Sequence, residues 1–290
     1  MSFTVFTDGC SNLPGHLLAS LDIQVLPCSY VLDGIPGTYE GDIDSFDTHA
    51  YYSKLRSGSV MKTSLLNTHL FLTHFRPALE AGNDVIYVGM SSGISGTIQA
   101  ARIAAEELAD EFPERTVRII DSLGAGFGPG LLAIRAAQLR DEGKSAAEAG
   151  RILDEEVMHT LNFFTVDDLN FLKATGRVSG ATAAIGTVLS IKPVLWGDLT
   201  GHITARAKVR GRKKSLDALA ELYRQHLPED RQVEMLFISH GDCIEDAEAL
   251  AQKLKAIHEP KELIICPHEP FTGSHVGPGM LAFFFQGKHR

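Results

Sequence analysis

In the first half of the chain, short apolar runs typical of buried strands alternate with segments whose apolar residues recur at helical spacing. Apolar runs predict strands, and each is followed by glycines or hydroxyl residues and then by a helix-like segment. The predicted strands lie at 3–7, 84–90 and 116–121, and the helices that follow them at 14–21, 97–109 and 131–140. Three strand–turn–helix units indicate a parallel sheet covered by helices.

The second half continues the alternation with less regular spacing. Ser145 and Glu148 form the S-x-x-E pattern of a capping box, which predicts a helix ending near residue 159. Strands are predicted at 162–166, 202–209, 234–239 and 263–266, helices at 215–226 and 245–257, and an apolar element at 186–193. Because the segment 202–209 is typical of one half of a hairpin, we expect a mixed sheet here.

These patterns predict two α/β domains. The first, at 1–160, has a mainly parallel sheet flanked by helices, and the second, at 161–290, has a smaller mixed sheet. The length of 290 residues and the 44% hydrophobic content allow two domains with sizeable cores.

Composition narrows the function. A formal net charge of −9 disfavours a general nucleic-acid or anionic-membrane binder. No segment approaches the ~18 apolar residues of a membrane span, and the first residues lack the pattern of a signal peptide. The four cysteines, Cys10, Cys28, Cys243 and Cys266, show no metal-ligand spacing. We therefore expect a reduced, cytoplasmic protein without a metal site.

A hydroxyl-rich loop follows the strand predicted at 84–90 and carries the clearest chemistry. Ser92, Ser95 and Thr97 lie among glycines where a helix begins. The first turn of a helix presents unpaired N–H groups, so the loop can hold a carboxylate or a phosphate. It lacks the lysine of a nucleotide-binding phosphate loop. The alternative is a capped helix start without a ligand.

Two further segments fit an anion site. Thr63 and Ser64 precede a helix predicted to begin near residue 67 or 68, and they are either anion ligands or a simple helix cap. His275 lies in a glycine-rich run, 272–279, where it is either a donor to a carboxylate, a general acid or base, or a solvated side chain.

Other motifs have weaker interpretations. The glycines at 124–130 do not meet the G-x-G-x-x-G pattern, which favours close backbone packing over dinucleotide binding. Arg206, Lys208 and Arg210 alternate at strand spacing and could share one side as a docking patch, although a solvated face is the common alternative. Arg177 is either a turn residue or a partner contact.

Taken together, these motifs resemble the DegV family, bacterial fatty-acid-binding proteins that present acyl chains to a fatty acid kinase. The resemblance covers nearly the whole chain. It rests on Thr7–Asp8 with Ser11, Lys62–Thr63–Ser64, Ser91–Ser92–Gly93–Ile94–Ser95–Gly96–Thr97, Asp121–Ser122, Val166–Asp167–Asp168–Leu169, Gly176–Arg177–Val178–Ser179, Ile191–Lys192–Pro193–Val194–Leu195, Lys208–Val209–Arg210 and His275–Val276–Gly277–Pro278–Gly279.

The resemblance implies a non-enzymatic carrier in phospholipid synthesis, with a long-chain fatty acid such as palmitate, stearate or oleate between the two domains. Thr63 with Ser95 or Ser92 would hold the carboxylate, and His275 would lie near the same head group. Arg177, Lys208 and Arg210 would face the kinase catalytic subunit, which performs the chemistry, so we expect no catalytic residue, metal or cofactor in this chain.

The chain departs from the family pattern at two places. Gly9–Cys10 stands where Ser-Thr is usual, and Leu65–Leu66–Asn67 replaces Gln-Pro-Ser. Two alternative functions stay open at this point. One is a hydrolase or acyltransferase that uses Ser95 or Ser92 with His275, and the other is a regulator that binds nucleic acid through residues 206–214.

Overall fold

The computed structural model describes residues 2–178, 190–230 and 232–290. Ser179 and the first half of the apolar element predicted at 186–193, residues 186–189, lie outside the described residues. The chain forms two compact units, which are described separately below. The N-terminal unit comprises Met1–Phe46 and Met61–Met158, and the C-terminal unit comprises Asp47–Val60 and His159–Arg290.

The segment Asp47–Val60 belongs to the C-terminal unit although the sequence analysis assigns it to the first domain. Two tyrosines explain the difference. The hydroxyl of Tyr51 donates a 2.8 Å hydrogen bond to the carbonyl of Pro270, and that of Tyr52 donates one of 3.1 Å to the carbonyl of His268. Such long-range contacts leave no local pattern in the sequence.

The described residues form the following strands and helices. The strands are β1 (Phe3–Asp8), β2 (Ile23–Leu26), β3 (Cys28–Leu32), β4 (Ile35–Tyr39), β5 (Met61–Thr63), β6 (Asp84–Gly89), β7 (Val117–Asp121), β8 (Thr160–Thr165), β9 (Ile191–Gly197), β10 (Ile203–Arg210), β11 (Met235–His240), β12 (Glu262–Pro267) and β13 (Leu281–Gln286). The helices are α1 (Gly15–Ser20), α2 (Thr48–Arg56), α3 (Thr68–Glu80), α4 (Thr97–Glu111), α5 (Phe127–Asp141), α6 (Ala146–Glu156), α7 (Asn170–Thr175), α8 (Arg212–His226), α9 (Ile244–Ile257) and α10 (Pro270–Val276).

The N-terminal unit contains the predicted parallel sheet, with strand order β2-β1-β6-β7. Every residue of the central strand β6 is buried, as expected for a strand covered on both faces. The helices α3 and α4 pack together, as do α5 and α6, and both pairs contact the sheet. A second, antiparallel sheet with the order β4-β3-β5 was not predicted.

Helix α5 begins at Phe127, four residues earlier than the sequence analysis predicts. The glycine run therefore forms the first helical turn, which also accommodates Pro129 because its missing N–H would have no helical partner there. A Cβ atom on Gly130 would lie 2.7 Å from the carbonyl oxygen of Ser11. The predicted role in close backbone packing is confirmed at Gly130.

The C-terminal unit contains the predicted mixed sheet, with strand order β10-β9-β8-β13-β11-β12. It has six strands against four in the parallel sheet, so the prediction of a smaller second sheet is wrong. The difference arises from β13, which follows the segment predicted as the last strand and pairs antiparallel with both β8 and β11. Its Phe283 and Phe285 are fully buried beside helices α8 and α9.

Candidate functional site

The predicted anion cradle lies in the N-terminal unit, where β6 leads into α4. Ser91 shapes this loop from within: its N–H donates to the carbonyl of Gly124 at 2.8 Å, and its Oγ accepts from the N–H of Gly93 at 3.0 Å. Because Ser91 is fully buried, its role is to fix the turn rather than to meet a ligand.

Ser95 stands at the entrance to α4. Its Oγ lies 3.0 Å from Oγ1 of Thr97 and accepts a 3.3 Å hydrogen bond from the N–H of Thr97. Gly96, at the N-cap, offers no side chain to the first turn. Within the described part of the chain, the N–H groups of Ile98 and Gln99 have no acceptor. The end of the helix therefore keeps donors and a partial positive charge beside Ser95.

Ser92 occupies a different electrostatic environment. Its side chain is exposed, but its N–H donates to Oδ1 of Asp121 at 3.1 Å, and the same oxygen accepts from the N–H of Leu123 at 3.2 Å. The carboxylate of Asp121 would repel a second carboxylate placed at Ser92. The geometry thus favours Ser95 as the anion ligand, and the positioning role of Asp121 was not predicted.

Thr63 and Ser64 do not cap the following helix. Helix α3 begins at Thr68 and is capped by Asn67, whose side chain accepts from the N–H of Leu70 at 3.0 Å. Thr63 instead ends β5, where it pairs with Tyr30 of β3. The helix-cap interpretation of the two hydroxyls is therefore wrong, because another residue performs that function.

One contact joins the loop after β5 to the serine loop, and a second joins the helices α3 and α4 that follow these loops. Cδ2 of Leu65 lies 3.4 Å from the position of a Cβ atom on Gly96, and the hydroxyl of Thr68 donates to the carbonyl of Ala100 at 3.4 Å. Leu65 is 53% exposed, which is high for a large apolar side chain. Hydroxyl donors, free helix N–H groups and an exposed apolar side chain together suit an anion with a hydrocarbon tail.

His275 lies in the last turn of α10, not in the predicted turn. The helix forms because Glu269 accepts from the N–H groups of Phe271 and Thr272, and Pro270 occupies the first helical position. Burial, together with the nearby charge of Arg177, lowers the pKa of His275 to about 4. The side chain is therefore neutral at physiological pH and can donate one hydrogen bond.

A buried polar chain supports α10 and was not predicted. Nδ1 of His268 lies 2.9 Å from Oγ of Ser239, and Nε2 lies 2.8 Å from Oγ1 of Thr272. Burial lowers the pKa of His268 to about 3. The pair has the composition of a Ser–His dyad, but both residues are buried. Its role is therefore structural: it joins β11 and α10 through the residue that follows β12.

The basic segment does not lie on one side. A bulge between Ala205 and Ala207 in β10 shifts the register against β9. It places Arg206 over the ring of Trp196, at 4.0 Å, while the register puts Lys208 and Arg210 on the opposite face. The prediction that all three share a face is wrong, because a bulge inserts one residue into the alternation.

The remaining basic residues of the segment begin helix α8. There Nε of Arg212 contacts Asp246 at 2.8 Å, and Nζ of Lys192 in β9 contacts Asp167 at 2.8 Å. Lys208, Arg210 and Arg177 form no ion pair within the described residues. They stay exposed and available to an acidic or phosphate-bearing partner.

No helix among residues 2–178, 190–230 and 232–290 combines the length and apolarity needed to cross a membrane.

Comparison with known proteins gives a consistent result across the chain. Residues 2–288 match the sequence model of a family described as "Uncharacterised protein, DegV family". A DegV domain-containing protein from Clostridium perfringens is 38% identical over 286 residues, which cover 98% of this chain and 97% of that protein.

Solved structures match over the same extent. A DegV family protein from Thermus thermophilus, reported for its fatty acid binding, has a TM-score of 0.87 and 29% identity, covering 99% of this chain and 100% of that one. A fatty acid binding DegV family protein from Streptococcus agalactiae has a TM-score of 0.87 and 27% identity, with both chains covered completely.

Proposed function

Because this chain belongs to the DegV family, we propose that it binds a long-chain fatty acid, such as palmitate, stearate or oleate, and presents the carboxylate to a partner fatty acid kinase. Fatty acid binding by the relatives from T. thermophilus and S. agalactiae supports the first part. The observation that carries the proposal in this chain is Ser95 beside the donors of the α4 N-terminus, with the exposed Leu65, two residues after Thr63, against Gly96.

In this proposal the hydroxyls of Thr63 and Ser95 donate to the carboxylate. A hydroxyl can donate once and accept twice. The N–H of Thr97 donates to Oγ of Ser95, and the hydroxyl of Ser95 donates to Oγ1 of Thr97 at 3.0 Å. On binding, the hydroxyl of Ser95 would turn its proton from Thr97 to the carboxylate. Thr97 would thereby orient Ser95 without touching the fatty acid.

The tail supplies most of the affinity. Burying about fifteen methylenes at ~0.8 kcal/mol each gives about 12 kcal/mol before the cost of association. The head group then needs only orientation, for which neutral donors suffice. Hydroxyls and amides hold the carboxylate ionised but without the two-pronged grip of an arginine, so it stays able to attack a phosphoryl group.

We retain His275, as the family resemblance implies, as a proposed ligand of the fatty acid carboxylate. A side chain whose pKa is lowered to about 4 is a weak general base at neutral pH, and this disfavours a hydrolase or acyltransferase that pairs His275 with Ser95 or Ser92. In the proposal the chain is a carrier, and the kinase transfers the phosphoryl group. Arg177, Lys208 and Arg210 form the proposed docking surface for that kinase, and the pair acts in the cytoplasm in phospholipid synthesis.

A comparison of oleate with oleyl alcohol tests the role of the cradle. Both ligands carry the same chain, so only the head group differs. We expect oleate to displace a fluorescent fatty acid from the protein at a concentration at least tenfold lower than the alcohol needs. Equal displacement by the two ligands would show that the hydroxyl cradle does not distinguish a carboxylate from an alcohol.

A further inference from the structure

Three potential metal ligands converge in the N-terminal unit, and the hydroxyl cradle includes none of them. Asp8 ends β1, Cys10 lies in the 3-10 turn Gly9–Ser11, and Cys28 begins β3. One carboxylate oxygen and the two sulfur atoms lie within 4.8 Å of one another. All three residues are at most 1% exposed, so their polar atoms are shielded from bulk solvent.

The carboxyl group of Asp8 lacks a positive partner. Its oxygens accept from the hydroxyl of Tyr87 and, at 2.8 Å, from the N–H of Cys10. None of the ion pairs formed by the described residues involves Asp8. A cation at this position would compensate the buried charge.

Gly9 is what allows the approach of Cys28. A Cβ atom on Gly9 would lie 3.1 Å from Sγ of Cys28 and 2.9 Å from Cδ1 of Tyr39. Any larger residue at this position would therefore push both side chains away. The absence of a side chain at residue 9 lets Cys28 approach the end of β1.

We propose that Asp8, Cys10 and Cys28 bind a zinc ion. Two thiolates and a carboxylate are suitable zinc ligands, and a water molecule or the second oxygen of Asp8 supplies the fourth donor of a tetrahedral site. Binding releases one proton from each thiol. The spacing of the cysteines along the sequence does not indicate a metal site, because the three ligands come from separate elements.

The site would join the two sheets of the N-terminal unit. Cys28 lies in β3, and Tyr30 of the same strand pairs with Thr63 of β5. A metal that holds Cys28 to the end of β1 would therefore also hold the strand that carries Thr63. The proposal does not depend on what Thr63 binds.

Metal content and ligand type test the proposal directly. The purified full-length protein is stripped with a chelator under reducing conditions and loaded with Zn²⁺ or Co²⁺. We expect one Zn²⁺ per chain, two sulfur neighbours at about 2.3 Å in X-ray absorption, and a thiolate-to-cobalt charge-transfer band with Co²⁺. Wild-type protein that binds less than 0.2 equivalents at about 10 μM metal, or only through nitrogen and oxygen, would overturn the proposal.

Variants assign the sulfur ligands to residues. The Cys10→Ser/Cys28→Ser protein should lose the charge-transfer band, whereas the Cys266→Ser protein, which removes a buried thiol in β12, should retain it. Asp8→Asn should keep the band but weaken metal binding at least tenfold. Loss of the band in Cys266→Ser alone would contradict the assignment, and the wild-type absorption result stands even if a variant does not fold.

Discussion

The two serines of the cradle differ in what surrounds them. Ser95 has Thr97 and the unpaired N–H groups of α4 beside it, whereas the N–H of Ser92 is taken by the carboxylate of Asp121. We propose on this ground that Ser95 and not Ser92 binds the anion. The sequence does not show the difference, because both serines stand in one short motif.

Substitution of each serine tests the difference. We expect Ser95→Ala to weaken oleate binding about tenfold to a hundredfold, because a hydrogen bond to a charged group contributes about 1.5–3 kcal/mol. Ser92→Ala, the matched control in the same loop, should change the affinity by less than about twofold. Displacement titrations measure both variants, and a larger effect at Ser92 would reverse the assignment.

Thr63→Ala should weaken oleate binding by an amount similar to Ser95→Ala, for the same physical reason. The neighbouring Ser64→Ala is the control, since the structure assigns Ser64 only a backbone contact, its N–H to the carbonyl of Ser29 at 3.3 Å. If binding of oleyl alcohol fell as much as that of oleate, Thr63 would be supporting the fold rather than the carboxylate.

The buried His268 gives a pH dependence of stability. Its pKa is about 3 in the folded protein but near 6.5 when exposed, so only the unfolded chain takes up a proton as the pH falls below 6.5. The stabilisation is complete above pH 6.5 and is lost toward pH 3. Between pH 7 and pH 5, we expect His268 alone to remove about 2 kcal/mol from the free energy of unfolding.

Denaturant unfolding of His268→Gln over the same pH range checks this. The variant should be less stable than the wild type at pH 7, because its contacts with Ser239 and Thr272 are altered. Its stability should nevertheless fall less between pH 7 and pH 5. If the free energies of unfolding of the two proteins fell in parallel with pH, His268 would be taking up its proton in the folded protein as readily as in the unfolded chain.

At the scale of elements, sequence periodicity identified most strands and helices but failed at three kinds of position. A bulge in β10 interrupts the alternation of side chains between the two faces, from which a single basic face was predicted. The glycine pattern predicts that all of 124–130 precedes α5, whereas the helix already includes residues 127–130, with Gly130 packed against Ser11. Strand β13 is buried on both sides, so its apolar run carries no period by which to recognise it.

The bulge gives a specific expectation for kinase docking. Lys208→Ala/Arg210→Ala should lower acyl-phosphate formation by the partner kinase at least fivefold, with oleate binding unchanged. Arg206→Ala, on the same strand but against Trp196, is the control and should leave kinase turnover within about twofold. A larger loss with Arg206→Ala would place the docking surface on the other face of the sheet.

At the scale of the whole molecule, the sequence predicted the two α/β units because repeated strand–turn–helix patterns are local. It did not predict the small antiparallel sheet or the transfer of Asp47–Val60 to the C-terminal unit. Both depend on contacts between distant segments. The same holds for the candidate site. Motifs in the sequence propose Thr63, Ser95 and His275 as ligands, whereas the positions of Asp121, Leu65 and the cluster around Asp8 follow only from the fold.

The overall charge bears on the alternative in which residues 206–214 bind nucleic acid. With a net charge of −9 and the basic residues divided between two faces, we expect no measurable binding to random duplex DNA at physiological salt. Fluorescence anisotropy with a labelled duplex measures this. Micromolar binding that weakens steeply with added salt would instead support nucleic-acid binding through residues 206–214.

The central claim is that this chain carries a fatty acid, and native mass spectrometry of the purified protein tests it most directly. We expect an added mass of one long-chain fatty acid per chain, released on denaturation and identified by its fragment ions. Delipidated protein should regain that mass with oleate. A protein that shows no bound fatty acid as purified and gains none from oleate would contradict the account.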